Sequence, residues 1–201
     1  YCTHTLEALL RGDLDFLDGI VCSDWDDDRR RIFDVWCYLK KPALALSFTN
    51  PKSKTEITER YFAKEIGDMA RALENFGGHK ITQESLSQAI KTYNKTRRLV
   101  LQLYELRKRP VPPVTGAEML GITTAGMVMD VGDFNTELQA LLPYLEQRQI
   151  KHKPGEPRIL ITSDQLDNPE FLEIIESEGC QIVMDDLDTG SRFFWGEVGE
   201  P

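Results

Sequence analysis

Residues 158–186 read RILITSDQLDNPEFLEIIESEGCQIVMDD, and this stretch decides the fold class of the chain. The apolar run RILITS predicts a buried strand. Asn168 and Pro169 form an N-cap and a favoured first helical residue, and Gly179 supplies the stop after an apolar helical stripe. CQIVMDD predicts a second strand. A strand, a helix and a strand in this order predict a right-handed crossover between two parallel strands.

The first fifty residues carry a pattern of the same kind. LDFLDGIVCSD (14–24) and ALALSF (43–48) predict two short buried strands. The helix between them is capped by Asp24 or Asp26, and Pro42 ends it. We therefore expect the closing β-α-β portion of an α/β domain whose earlier strands are absent from the chain.

Long helical periods replace the short apolar runs in the middle of the chain. Four helices are predicted there, beginning near Ser53, Thr82, Thr115 and Phe134. Ser53 and Glu56 have the spacing of a capping box. The predicted fold is α/β, with parallel-sheet, Rossmann-like portions separated by a helical segment. The predicted domains are the end of an N-terminal α/β domain over 1–52, a helical segment over 53–152 and the start of a second α/β domain over 153–201.

Composition and charge exclude several classes of function. The 201 residues are 41% hydrophobic, and their formal net charge of -9 argues against non-specific binding to nucleic acid or to an anionic membrane. No apolar stretch approaches the roughly 20 residues that cross a bilayer, and no signal peptide is recognisable, so we expect a cytoplasmic protein. Four cysteines without a C-x-x-C pair argue against a disulfide framework or a zinc ribbon. Because the chain begins without Met, we expect a fragment of a longer protein.

Polar clusters follow two of the predicted strands, where open parallel sheets bind ligands. The first runs from Cys22 to Asp28 and the second from Asp185 to Arg192. Carboxylates in the first cluster suit Mg²⁺ or Ca²⁺, whereas a thiolate suits zinc or iron–sulfur; a plain helix cap is the alternative. In the second cluster, Gly190 lets backbone N–H groups approach a phosphate-bearing or acyl-carrying substrate, and Arg192 supplies paired donors. A strand end and turn is the alternative there.

Several stretches, taken in order, resemble the 2-hydroxyacyl-CoA dehydratase and benzoyl-CoA reductase family. They are Cys2 followed by LEALLRGDLDFLDGIV, then DDDRRRIFDVW, the helical block, RILITS, the NPEFLEIIESEG helix, QIVMDD and LDTGSRFFW. The resemblance covers nearly the whole chain. Its last stretch is the most specific and favours the reductases over the dehydratases.

The resemblance implies an enzyme subunit with α/β domains, a helical segment and a [4Fe-4S] cluster held by three cysteines. It also implies a homologous partner subunit and an ATP-dependent iron–sulfur activator that injects one electron. The electron would reach an acyl-CoA thioester and form a ketyl radical. Thiolate ligation in a dry cleft allows the low potentials that such chemistry requires.

The resemblance also implies site residues, and the chain departs from the family at two of them. Cys2 matches the first cysteine ligand. Trp25 occupies the second position, with Cys22 three residues away, and Asp188 occupies the third, where a carboxylate is a harder ligand than a thiolate. The metal candidates are Cys2, Cys22 and Asp188. The candidates for the substrate or cluster pocket are His4, Trp25, Thr189, Gly190 and Arg192. No catalytic residue is assigned.

Three hypotheses for the function stay open. The first is a fragment of a catalytic-type subunit of a CoA-thioester reductase or dehydratase. The second is a non-catalytic, cluster-free structural subunit of such a complex, which Trp25 and Asp188 favour. The third, a metal-independent nucleotide-binding module, ranks last because no glycine-rich phosphate loop follows any strand.

Overall fold

The computed structural model describes residues 2–150 and 155–200. The chain divides into two compact units, Tyr1–Thr82 and Gln83–Pro201. The first unit contains α1 (Cys2–Arg11), β1 (Gly19–Ser23), α2 (Asp27–Lys40), β2 (Leu44–Phe48) and α3 (Glu56–Gly77). The second contains α4 (Gln83–Arg107), α5 (Gly116–Val128), α6 (Val131–Gln147), β3 (Arg158–Thr162), α7 (Pro169–Ser177), β4 (Gln181–Asp186) and α8 (Ser191–Phe194). The predicted α/β class is confirmed.

The strands of the first unit form a parallel pair joined by a helical crossover. Gly19 lies opposite Leu44, and the register continues to Ser23 opposite Phe48. Glycine is needed at the start of this pair, because a Cβ on Gly19 would lie 2.7 Å from the Cβ of Leu44. Helix α2 connects the two strands and packs against β1 and α1. The strand, helix and strand predicted for the first fifty residues are present.

Helix α2 is held at both ends by local chemistry. The side chain of Asp26 caps it and accepts a hydrogen bond from the Arg29 N–H at 2.8 Å. Asp27 and Asp28 add negative charge to the first turn, where the helix dipole favours it. Lys41 ends the helix in the left-handed conformation with φ 48°. The acidic run thus begins a helix, as predicted.

Helix α3 begins with a capping box different from the predicted one. The Thr55 hydroxyl accepts the Thr58 N–H at 3.3 Å, and the Thr58 hydroxyl accepts the Thr55 N–H at 2.9 Å. The backbone of Thr55 is extended, with φ -134° and ψ 160°, and Glu56 is the first helical residue. The capping box predicted for Ser53 and Glu56 is therefore wrong, because the N-cap is Thr55, two residues later than Ser53.

The second unit packs a helical layer against a second parallel crossover. Strands β3 and β4 pair in parallel with α7 between them, α5 packs against α7 and β4, and α4 packs against α6. A Cβ on Gly116, at the start of α5, would lie 2.6 Å from the Ile182 Cβ, so glycine allows this close approach of helix to sheet. The most deeply buried apolar side chains of this unit are Val100, Leu103, Val114, Met119, Leu138, Leu172, Ile182 and Leu187.

The compact units divide the helical stretch, since α3 lies in the first unit and α4–α6 lie in the second. The three-part domain division stays a prediction, and its boundary between residues 152 and 153 lies outside the described residues. Among the helices that the structure describes, none is long and apolar enough to cross a membrane.

Candidate functional site

Two thiols lie near each other at the start of α2. Cys22 belongs to β1, and its Sγ donates to the carbonyl oxygen of Arg29 at 3.5 Å. Burial raises the pKa of the Cys22 thiol, the charge of Arg29 opposes this rise, and the charges of Asp26, Cys2 and Asp24 add to it. Cys2 also lines a cavity of about 140 Å³ between α1 and α2, together with Asp28. Two of the three predicted metal ligands thus lie beside the first turns of α2.

The neighbouring side chains of this cluster are engaged with the loop after β2. Trp25 is 44% exposed, and the ammonium group of Lys52 lies 5.7 Å from its ring centroid. Asp24 accepts a hydrogen bond from the Thr49 hydroxyl at 2.9 Å. These contacts join the carboxyl ends of β1 and β2. His4 lies exposed in the first turn of α1.

Arg192 organises the carboxyl end of β4. Its Nε and Nη2 donate to the two carboxylate oxygens of Asp186 at 2.6 and 2.8 Å, and its Nη1 donates to Asp188 at 3.0 Å. Asp164 lies at 4.0 Å. The hydrogen bonds from Arg192 hold the pKa of Asp186 below its usual range. The guanidinium is thus already paired with carboxylates.

The loop between Arg192 and β4 carries the other predicted pocket residues. The Thr189 hydroxyl donates to the carbonyl oxygen of Leu166 at 2.5 Å, which fastens the loop to the segment after β3. Gly190 precedes α8, and a Cβ there would collide with the Asp185 carboxylate. An open cavity of about 330 Å³ lies beside this loop, and its walls include Leu160, Met184, Asp186, Arg192 and Trp195.

A buried polar network lies directly behind this loop. Arg107 is 0% exposed and Asp185 is 6% exposed, and their ion pair measures 3.3 Å. The Tyr104 hydroxyl donates to both carboxylate oxygens of Asp185, at 3.0 and 2.9 Å. Burial, and then the charge of Asp185, raises the pKa of Tyr104, which therefore stays a donor. The sequence analysis missed this network; its signal was two consecutive carboxylates at the end of a short buried strand, where alternation turns one of them inward.

Comparisons with known proteins give these clusters a context. The family model for 2-hydroxyglutaryl-CoA dehydratase, D-component, matches residues 1–201. The chain belongs to this family. The expected resemblance to the dehydratases and benzoyl-CoA reductases is confirmed.

Among curated relatives, a benzoyl-CoA reductase subunit of Thauera aromatica is 29% identical over 98% of the chain and 52% of the relative. The (R)-phenyllactyl-CoA dehydratase beta subunit of Clostridium sporogenes is 25% identical over 94% of the chain and 50% of the relative. The beta subunit of (R)-2-hydroxyglutaryl-CoA dehydratase from Acidaminococcus fermentans is 25% identical over 96% and 52%. The chain spans about half the length of these relatives.

The candidate ligand atoms of this chain can be compared with those that a [4Fe-4S] cluster requires. Cys2 and Cys22 offer two thiols in the first unit, whereas Asp188 lies in the second unit and is paired with Arg192. Trp25 offers no ligand atom. Within residues 2–150 and 155–200, no group of three or more His, Cys, Asp and Glu side chains could hold a metal ion. These residues do not fit a complete cluster site.

Proposed function

We propose that the protein is a subunit of a complex that dehydrates or reduces an acyl-CoA thioester. One observation carries this proposal: the family model of the dehydratase D-component spans the whole chain. The names of the relatives support the substrate class, since they describe enzymes of benzoyl-CoA, (R)-phenyllactyl-CoA and (R)-2-hydroxyglutaryl-CoA. They are also names of subunits, which supports a homologous partner subunit.

In this proposal the second unit contributes binding surface at the carboxyl end of its sheet. Leu160, Met184 and Trp195 give the cavity of about 330 Å³ an apolar wall that would exclude water from an acyl group. Asp186 and Arg192 form the polar edge of the same cavity. Because Arg192 is already held by carboxylates, we assign it an orienting role rather than the role of a free phosphate anchor.

A [4Fe-4S] cluster, together with an ATP-dependent iron–sulfur activator, would supply the one-electron chemistry of ketyl radical formation. The resemblance to the family supports this part of the proposal. Cys2 and Cys22 are the thiols that this chain offers toward such a cluster. We assign no reaction step to the cluster, because the described side chains do not fit a complete site.

A second candidate function is a cluster-free structural subunit of the same complex. Two contacts favour it: Lys52 covers the ring of Trp25, and Arg192 holds Asp188. Both positions thus have structural partners of their own. In this alternative the chain would shape the complex while the partner subunit holds the redox group.

The substrate class is tested by equilibrium binding to the full-length protein in complex with its partner subunit. The probes are benzoyl-CoA, (R)-phenyllactyl-CoA and (R)-2-hydroxyglutaryl-CoA, each compared with free CoA. We expect at least one thioester to bind at least about tenfold more tightly than CoA, because the acyl group alone reaches an apolar wall. Equal affinity for CoA and for all three thioesters would contradict the proposal.

The two candidate functions are separated by iron and acid-labile sulfide content. The protein is purified with its partner under argon, and each subunit is then assayed alone. About four irons in this subunit, reduced by Cys2→Ser and unchanged by Cys180→Ser, would support the redox subunit. Iron confined to the partner subunit would support the cluster-free subunit.

A further inference from the structure

Asp185 is the meeting point of three elements of the second unit. Tyr104 and Arg107 of α4 donate to its carboxylate from one side. The backbone N–H of Ser191, the first residue of α8, donates to the same carboxylate at 2.8 Å. The Ser191 hydroxyl also donates to the Asp185 carbonyl oxygen at 2.7 Å. Strand β4, helix α4 and helix α8 are therefore joined at one buried side chain.

The loop after β4 is shaped around this side chain. Gly190 lies so close to Asp185 that it has no space for a Cβ. Leu187 accepts hydrogen bonds at its carbonyl oxygen from the N–H groups of Gly190 and Arg192, at 3.1 and 3.2 Å. These contacts fix the turn over 187–190 and the start of α8 against the end of β4.

Asp185 itself does not reach the paired residues at the cavity edge. The side chain of Arg192 bonds to Asp186 and Asp188, and all three are exposed to a third or more. Asp185 is 6% exposed and also lines this cavity, but its carboxylate bonds to two side chains of α4 and to the Ser191 N–H, so the backbone of the loop connects it to Arg192. A change at Asp185 would therefore move these groups without removing any of their own contacts.

We propose that Asp185 is a positioning residue, whose carboxylate holds the loop over 187–190 and the first turn of α8 so that Arg192 stands at the edge of the cavity. The role in binding rests on the proposed function, which assigns this cavity to an acyl-CoA thioester. The role in holding the loop stands on the contacts of Asp185 alone.

The loop-holding role of Asp185 can be tested separately from its contribution to the stability of the unit, because its carboxylate accepts bonds from α4 on one side and from the start of α8 on the other. Tyr104→Phe removes a donor on the α4 side and leaves the bond from the Ser191 N–H in place. Asp185→Asn replaces one of the two carboxylate oxygens with an NH2 group. Only one oxygen then remains to accept the hydrogen bonds that two oxygens accept in the unmodified protein. Asp167→Asn is the matched control, since Asp167 is an exposed carboxylate in the same unit.

The test is amide hydrogen exchange on the intact chain, compared between the loop over 187–192 and helix α4. In Asp185→Asn we expect loop exchange to rise about tenfold or more relative to α4, which is the equilibrium effect of one lost hydrogen bond to a charged group. Tyr104→Phe and Asp167→Asn should leave that ratio unchanged. An equal ratio in Asp185→Asn and Tyr104→Phe would overturn the proposal.

A second variant covers the case in which Asp185→Asn fails to fold. Gly190→Ala keeps Asp185 and its bonds to α4 but places a Cβ in collision with the carboxylate oxygen that accepts the Ser191 N–H, so it pushes the loop away from that carboxylate. It should raise exchange in the loop relative to α4, and an unaffected loop would overturn the proposal.

The link to substrate is tested with benzoyl-CoA as the probe. In the complex with the partner subunit, the folded loop variant should bind benzoyl-CoA at least about fivefold more weakly, and Tyr104→Phe should match the unmodified protein. Equal weakening in both would overturn the positioning role in binding. If the unmodified protein does not bind benzoyl-CoA better than CoA, the assignment of this cavity to the benzoyl thioester fails, and hydrogen exchange still decides the loop role.

Discussion

Replacing Arg107 by Met should show how strongly the buried network holds the second unit together. Arg107 is 0% exposed and lies 3.3 Å from the Asp185 carboxylate. Its Nη2 also donates to the carbonyl oxygen of Ile182 at 2.7 Å. Methionine fills the space of the aliphatic stem and donates nothing, so Asp185 keeps its charge without a cationic partner.

We expect this variant to lose about 3–5 kcal/mol of unfolding free energy, because removing one partner leaves an uncompensated buried charge. Asp185→Asn in the same chain removes that charge and should recover part of the loss. The control is Arg98→Met, which breaks an ion pair with Glu197 that is about half exposed. Such exposed pairs contribute about 0–1 kcal/mol.

The assay is amide hydrogen exchange in α4 of the intact chain, where the slowest amides report the opening of the whole unit. A loss of about 3–5 kcal/mol corresponds to exchange that is roughly a hundredfold to several thousandfold faster. If α4 exchanges no faster in Arg107→Met than in Arg98→Met, the contribution assigned to the Arg107–Asp185 pair is refuted.

Three further results are expected. The bonds from Arg192 depress the pKa of Asp186, so their stabilisation is present above the unfolded carboxyl pKa of about 3.9 and is lost as pH falls through the folded value. Arg192→Gln should therefore reduce the acid sensitivity seen by circular dichroism. Gly116→Ala should cost about 1–3 kcal/mol in urea unfolding, because its Cβ would lie 2.6 Å from a β4 side chain, whereas Gly121→Ala meets open space and should cost nothing. Burial raises the pKa of Cys22, so maleimide should label it more slowly at pH 7 than the same cysteine in urea, as followed by mass spectrometry.

The two parallel crossovers were predictable because their signals are local. A short apolar run, a capping residue and a helical stripe are read within about ten residues of one another. The cap at Asp26 could be predicted for the same reason. The capping box of α3 could not be placed correctly, since Ser53 and Thr55 are both good caps and only the backbone conformation selects Thr55.

The candidate site was predictable only in part. The rule that ligands bind beyond the carboxyl ends of parallel strands identified both polar clusters. It could not identify the buried network, because Asp185 is 78 residues from Arg107 and 81 from Tyr104 along the chain. It also could not show that Asp188 is paired with Arg192, since sequence spacing does not fix the direction of a side chain.

Anaerobic turnover tests the central claim most directly. The full-length protein, its partner subunit and an ATP-dependent iron–sulfur activator are combined with benzoyl-CoA, (R)-phenyllactyl-CoA or (R)-2-hydroxyglutaryl-CoA, and the products are identified by mass spectrometry. The account predicts that at least one thioester is reduced or dehydrated, and that the reaction stops when this subunit is left out. Conversion that proceeds equally well without the subunit, or no conversion of any thioester by the complete set, would contradict it.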